Sequence, residues 1–149
     1  MTFVTPRTIS NVVSTHKTTS WTSALNLNWQ DVTGLSASIT PTRSTSKILV
    51  SAVVHFGSTV TAGSNFNLRV QRGGGATTLP FVAARNVYQQ AEWGMFAYEY
   101  LDSPATTSAI TYQVQIVGTN GNTNYTYVNL RGDSAATATS SITVTEVYA

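Results

Sequence analysis

The only imidazoles in this 149-residue chain are His16 and His55, and there is no cysteine. Those two facts bound most of the chemistry. A Ser-His-Asp relay needs a base, an orienting carboxylate and a nucleophile held in one constellation, and no serine here is set in a nucleophile-elbow pattern. Two histidines without cysteine do not complete a zinc site within one chain. The one metal arrangement left is a threefold axis on which His55 of three subunits would meet. Gly73-Gly74-Gly75 is followed by no helical pattern, so it reads as a turn and not as a loop that presents a helix N-terminus to phosphate. The tripeptide Arg131-Gly132-Asp133 and the sequon Asn124-Tyr125-Thr126 sit in polar turns, and neither carries chemistry without a partner or a secretory route. No catalytic, cofactor-binding or metal residue is expected, and the chain reads as a non-enzyme.

The residues with more to offer are aromatic. Trp21, Trp29 and Trp93, with Tyr88, Tyr98 and Tyr100, are of the type that anchors protein interfaces and also of the type that fills a sandwich core. Stacked Trp or Tyr can hold sugar rings as well. Glu146 shares strand parity with Ile142, Val144 and Tyr148, which aims a carboxylate at an apolar face, where it needs a partner. An ion pair with Arg69 or Arg85, within or between subunits, is the expectation. The candidate interface residues are therefore Trp21, Trp29, His55, Arg69, Trp93 and Glu146.

Composition narrows the class. Charged residues are 9% of the chain, far below the roughly 25% of ordinary soluble domains. Ser and Thr take that share, at roughly a quarter of all residues. Hydroxyl-rich surfaces of this kind suit extracellular and virion β-proteins better than cytosolic enzymes. The net charge of +2 comes from scattered Lys and Arg with no stripe that would track nucleic acid. No apolar run approaches the ~20 residues of a membrane span, and residues 1–7 show no signal-peptide pattern. Synthesis in a cytoplasm without export is the expectation.

The elements that must position these residues are strands. Leu35, Ala37 and Ile39 alternate with Ser36, Ser38 and Thr40, and Pro41 ends that run because it cannot donate to a ladder. A polar turn leads to residues 48–56, where Ile48, Val50, Ala52, Val54 and Phe56 share one face and Leu49, Ser51, Val53 and His55 the other. The pair reads as a hairpin whose second strand is apolar on both faces, as in a strand covered on both sides. One cover is the partner sheet; the other is a neighbouring subunit or a loop. Further strands are expected near residues 8–15, before Gly34, at 65–72, 79–83, 93–101, 109–117, 125–130 and 140–148, with Phe66, Leu68 and Val70, then Phe96, Tyr98 and Tyr100, and Ile110, Tyr112, Val114 and Ile116 each on one face. Eight or nine short strands and no helix predict an all-β, antiparallel two-sheet sandwich. A jelly roll is favoured over an immunoglobulin-like arrangement. Residues 1–11 would form an N-terminal arm and 12–149 the sandwich.

Val12-Val13-Ser14-Thr15, the stretch Trp29-Gln30-Asp31-Val32-Thr33-Gly34-Leu35-Ser36, Ser38-Ile39-Thr40-Pro41, Ser46-Lys47-Ile48-Leu49-Val50 and the closing Ser141-Ile142-Thr143-Val144-Thr145-Glu146-Val147 resemble, in this order, a small β-domain of tailed-bacteriophage virion structural proteins. That domain occurs at the C-terminal ends of tail fibres and in small head-associated proteins. The resemblance implies a non-enzymatic homotrimer without cofactor, located in the virion. The short lead before the domain favours a capsid decoration or cement protein whose partners are its own copies and the major capsid protein, with residues 1–10 as docking arm. A tail-fibre or tail-tip protein is the alternative, binding a host surface glycan or protein through loops 57–64, 84–92 and 118–124.

Overall fold

The computed structural model describes residues 9–24, 27–58, 64–73, 77–79, 82–87, 93–118, 125–131 and 133–148. Among them there is no helix. Eleven strand segments follow one another: β1 (Ile9–Lys17), β2 (Trp21–Ala24), β3 (Gln30–Ile39), β4 (Lys47–Ser58), β5 (Ser64–Arg72), β6 (Thr77–Thr78), β7 (Val82–Val87), β8 (Trp93–Asp102), β9 (Ile110–Gly118), β10 (Tyr125–Val128) and β11 (Ser140–Val147). All pairings are antiparallel. They form two sheets, one of β1, β11, β4, β10, β2 and β8 and one of β3, β9, β5, β6 and β7.

The segments collapse into eight lanes. On one edge of β4, β11 pairs with residues 47–53 and β10 takes over at 56–58, while β8 pairs along the other edge. β1 and β2 lie in the same way outside β11 and β10. The first sheet therefore reads β1/β2, β11/β10, β4, β8. In the second, β7 and β6 share one edge of β5, which gives β3, β9, β5, β7/β6. Numbered along the chain, the lanes run 1-8-3-6 in one sheet and 2-7-4-5 in the other. That interleaving of two Greek keys is the jelly roll.

Strand parity places the core between the sheets. Ile48, Val50, Ala52, Val54 and Phe56 of β4 are buried against Leu68, Val70, Ile110, Tyr112, Val114 and Ile116, and Ile142 and Val144 join them. Phe96, Tyr98 and Tyr100 pack on the same core from β8. Burial pushes the Tyr98 hydroxyl up to about 12, with the nearby Tyr100 and Asp102 adding to the effect.

One reading changes. Residues 35–39 and 48–56 do not form a hairpin, because β3 pairs with β9 while β4 pairs with β11, β10 and β8. The turn at 40–46 is an arch that crosses from one sheet to the other. Both strands keep an apolar face toward the same core, and an arch satisfies that pattern without any hydrogen bond between them. β3 also changes phase. Val32 and Leu35 are both fully buried although their parities differ. The register shift between Asp31 and Ser36, with Gly34 at φ +81°, absorbs the change; this left-handed conformation suits glycine. Gln113 Nε2 lies 3.0 Å from the Val32 carbonyl and 3.2 Å from that of Leu35, so it donates to backbone the bulge has freed.

The expected arm at 1–11 falls mostly outside the described residues, and β1 starts at Ile9, which pairs with Val147. The segment expected at 79–83 is replaced by β6 and β7 on either side of Leu79.

Candidate functional site

The outer face of the first sheet is built by the second parity of β4. Row by row, Leu49 lies between Leu101 of β8 and Thr145 of β11, with Val12 of β1 beyond; Ser51 lies between Glu99 and Thr143, with Ser14 beyond; Val53 lies between Ala97 and Ser141; His55 faces Met95; and Gly57 faces Trp93. Met95 is 57% exposed, Val12 54% and Leu101 39%. Among the described residues the charges on this face are Glu99 and Lys47, and Lys47 Nζ donates to Ser103 at 2.8 Å. Two of the candidates meet here, since the rings of His55 and Trp93 stand edge to face with centroids 6.5 Å apart. His55 Nδ1 is 2.9 Å from the Thr139 carbonyl. A carbonyl only accepts, so the proton sits on Nδ1.

Beneath His55 the backbone is pinned where β11 hands over to β10. The His55 N–H donates to Ser140 Oγ at 2.9 Å, Ser140 Oγ donates to Asn129 Oδ1 at 2.6 Å, and the Asn129 N–H donates to the His55 carbonyl at 3.0 Å. Asn129, buried and at φ +63°, also donates from Nδ2 to the Lys17 and Thr19 carbonyls. These contacts satisfy backbone groups at the junction where one ladder gives way to the next.

The outer face of the second sheet carries the other pair. The Arg69 guanidinium lies 4.1 Å from the centre of the Trp29 ring. Its Nε donates to Gln115 Oε1 at 2.8 Å, and Gln115 Nε2 donates to Asp31 Oδ1 at 2.6 Å. Desolvation in this stack lowers the basicity of Arg69, and Asp31 opposes the change. Trp29, Asp31, Arg69, Gln71, Gln113 and Gln115 wall a groove of about 590 Å³ that continues over Thr111 to Gly73 and Ala109.

Trp21 and Glu146 lie elsewhere. Trp21 pairs with Val128 and packs on the core. Glu146 is 0% exposed, as its parity implies, but its partners differ from the expected arginine. Oε1 accepts from the Thr42 N–H at 2.7 Å and from Thr42 Oγ1 at 2.8 Å. Arg69 is committed to Trp29 and Gln115, and the Arg85 side chain lies outside the described residues. The arch passes directly over β11, so its own donors reach the carboxylate first. Burial alone would raise the Glu146 pKa; the Thr42 N–H and hydroxyl, with the Ser46 hydroxyl and Arg43 amide nearby, outweigh it and hold it below the usual range.

Asp102, 6% exposed, occupies the same row. Ile48 pairs with Glu146 on one edge and Asp102 on the other, so two buried carboxylates flank one isoleucine. Asp102 is the ion-paired one. It accepts from Arg72 at 2.7 Å, from the Tyr112 hydroxyl at 2.7 Å and from the Ser103 N–H at 2.8 Å. The contact ties β8 to β5 and β9 across the sandwich. Burial first, then the bond to Asp102, raises the Tyr112 hydroxyl far above its ordinary range.

Sequence reasoning missed Asp31, Gln71, Gln113, Gln115, Asp102 and Asn129. The alternation that marks Gln113 and Gln115 as outward was legible, but which polar residues converge depends on neighbouring lanes that are distant in the chain. Among the described residues no three His, Cys, Asp or Glu side chains cluster as for a metal ion. His16 is exposed beside Ser14. Arg131 and Asp133 bind each other at 2.7 and 2.8 Å. Most of the loops at 57–64, 84–92 and 118–124 lies outside the described residues, as do Tyr88, Asn124 and Gly132.

No protein-family model matches the sequence, and no curated protein matches it. Solved structures do. A chain of the T13 infectious bursal disease virus (IBDV) particle superposes with a TM-score of 0.52 at 13% identity, covering 93% of this chain and 36% of its own. A chain of T=1 particles derived from the infectious bursal virus gives 0.52 at 12%, covering 92% and 37%. This chain thus spans little more than a third of the length of the particle chains it matches. At such identity the likeness concerns the fold alone: the chain is a jelly-roll sandwich of the kind found in those viral particles.

Proposed function

We propose that the chain is a non-enzymatic virion structural protein, a homotrimer that binds the outer surface of a bacteriophage capsid and stabilises the head. The observation that carries this reading is the outer face of the first sheet. Exposed Met95, Leu101 and Val12, with Leu49, Val53 and Ala97, gather apolar side chains on one sheet face, divided by the row of Glu99, Ser51 and Thr143, and exposed apolar patches rimmed by polar residues mark association surfaces. A second copy is the occupant proposed, and His55 and Trp93 fall within the contact. The likeness of the overall fold to the IBDV particle chains supports a capsid setting, and the sequence resemblance supports the phage one. Stabilisation would be passive, by mass action on the assembled shell.

Light scattering tests the trimer. A mass near three times the 15.9 kDa chain is expected, and a 15.9 kDa species at micromolar concentration overturns it. Cryo-EM or immunogold labelling of the particle tests the location: many copies over the head are expected, and a few copies confined to a tail tip overturn the decoration reading.

A further inference from the structure

The groove on the second sheet is a different kind of surface from the apolar field. Its floor is laid in register. Asp31, Gln115 and Arg69 form one row; Ser36, Gln113 and Gln71 the next; Ser38, Thr111 and Gly73 the third. Trp29 closes one end over Arg69. The row of Asp31, Gln115 and Arg69 is locked by its own hydrogen bonds, so its unused donors and acceptors are held in place before any ligand arrives. The lining charges are one guanidinium and one carboxylate, which cancel. The volume falls within the ~300–1,000 Å³ of small-molecule sites.

We propose that this groove binds an uncharged saccharide. Vicinal sugar hydroxyls both donate and accept. They need what this floor supplies: the carboxylate of Asp31 as acceptor, guanidinium N–H groups of Arg69 as donors, and the Gln71 amide and Thr111 hydroxyl, which do both. A peptide segment fits less well, because neither strand edge of β9 is open for pairing and the floor offers no aliphatic pocket. An anionic sugar would meet Asp31, and a cation would meet Arg69. Gly73 and Thr111 leave the far end without bulk, which gives the chain of a longer glycan a way out. This inference concerns the isolated protein and does not depend on where in a particle it sits.

The test is a glycan array probed with the full chain, followed by calorimetric titration of the neutral oligosaccharides it retains. Thr111→Trp fills the groove from an exposed strand position, and Asp31→Ala removes the acceptor without touching the core. Retention of neutral glycans, weakened at least tenfold in both variants while the melting temperature stays within a few degrees, is the expected result. Nuclear magnetic resonance shifts clustered at Gln71, Thr111 and Gln115 would place the ligand independently of any variant. The proposal is overturned by no glycan bound at millimolar concentration, by retention of acidic glycans only, by affinity unchanged in both variants, or by cross-links showing the groove filled by a second copy of the chain.

Discussion

Glu146 and Asp102 show that two buried carboxylates in one row can be stabilised by different means. Asp102 meets a full positive charge, whereas among its described partners Glu146 meets hydroxyls and backbone amides. A carboxylate held by several such donors keeps a low pKa. The sign follows: a folded-state pKa below the ordinary value stabilises the protein above that ordinary value, and the contribution disappears as pH falls through the lowered one. Glu146→Ala removes the acceptor of the Thr42 N–H and hydroxyl and should cost about 2 kcal/mol at pH 7. In urea titrations the gap between wild type and variant should narrow as the pH is brought down through the acid range; a gap independent of pH would show that the charge contributes nothing. Gly94 makes a second residue-scale point. A Cβ there would run into the buried Phe56 ring, which is stacked 4.8 Å from Phe96. Gly94→Ala should therefore destabilise by about 1–3 kcal/mol through overpacking, measured as a lower urea midpoint. An unchanged midpoint would mean that the ring moves freely.

At the scale of elements, alternation told which side of a strand is wet but not which strand lies beside it. The inward sets on β4, β8, β9 and β11 were readable because burial follows parity along a single segment. The hairpin reading of residues 35–56 failed because a hairpin and an arch demand the same apolar spacing; they differ only in hydrogen bonds, which leave no mark on residue type. The groove was illegible for a related reason, since Asp31, Arg69 and Gln115 become neighbours only through lane order. The bulge in β3 gives an element-scale prediction. Gln113 Nε2 serves the Val32 and Leu35 carbonyls, so Gln113→Ala should cost about 1–3 kcal/mol and speed amide exchange in 31–36. Gln115→Ala, whose bonds are to surface side chains, should cost less. Equal losses from the two would refute the role given to Gln113.

For the whole molecule, the two outer faces divide the work proposed here, one bearing the exposed apolar side chains and one a polar groove. That division was partly foreseeable in the two-sided apolar pattern of residues 48–56, whereas the polar side had no linear signature. If the apolar field joins subunits, introducing charge at its most exposed points should separate them. Met95→Glu with Leu101→Lys is expected to shift light-scattering mass from trimer to the single chain while the far-ultraviolet β spectrum persists. A trimer that survives both changes would locate the contact elsewhere.

The position of β11 has a temporal consequence. It is the last of the eleven strands to be synthesised, yet it lies inside its sheet between β1 and β4 and supplies Ile142, Val144 and Glu146 to the interior. Until it emerges from the ribosome, β4 has an open edge over residues 47–53 and β1 lacks its hydrogen-bonded neighbour, so a nascent chain can hold the second sheet before it can close the first. Closure of the first sheet therefore waits on the strand that comes last in order among those described, and the exposed edge of β4 is the surface most in need of protection during that wait.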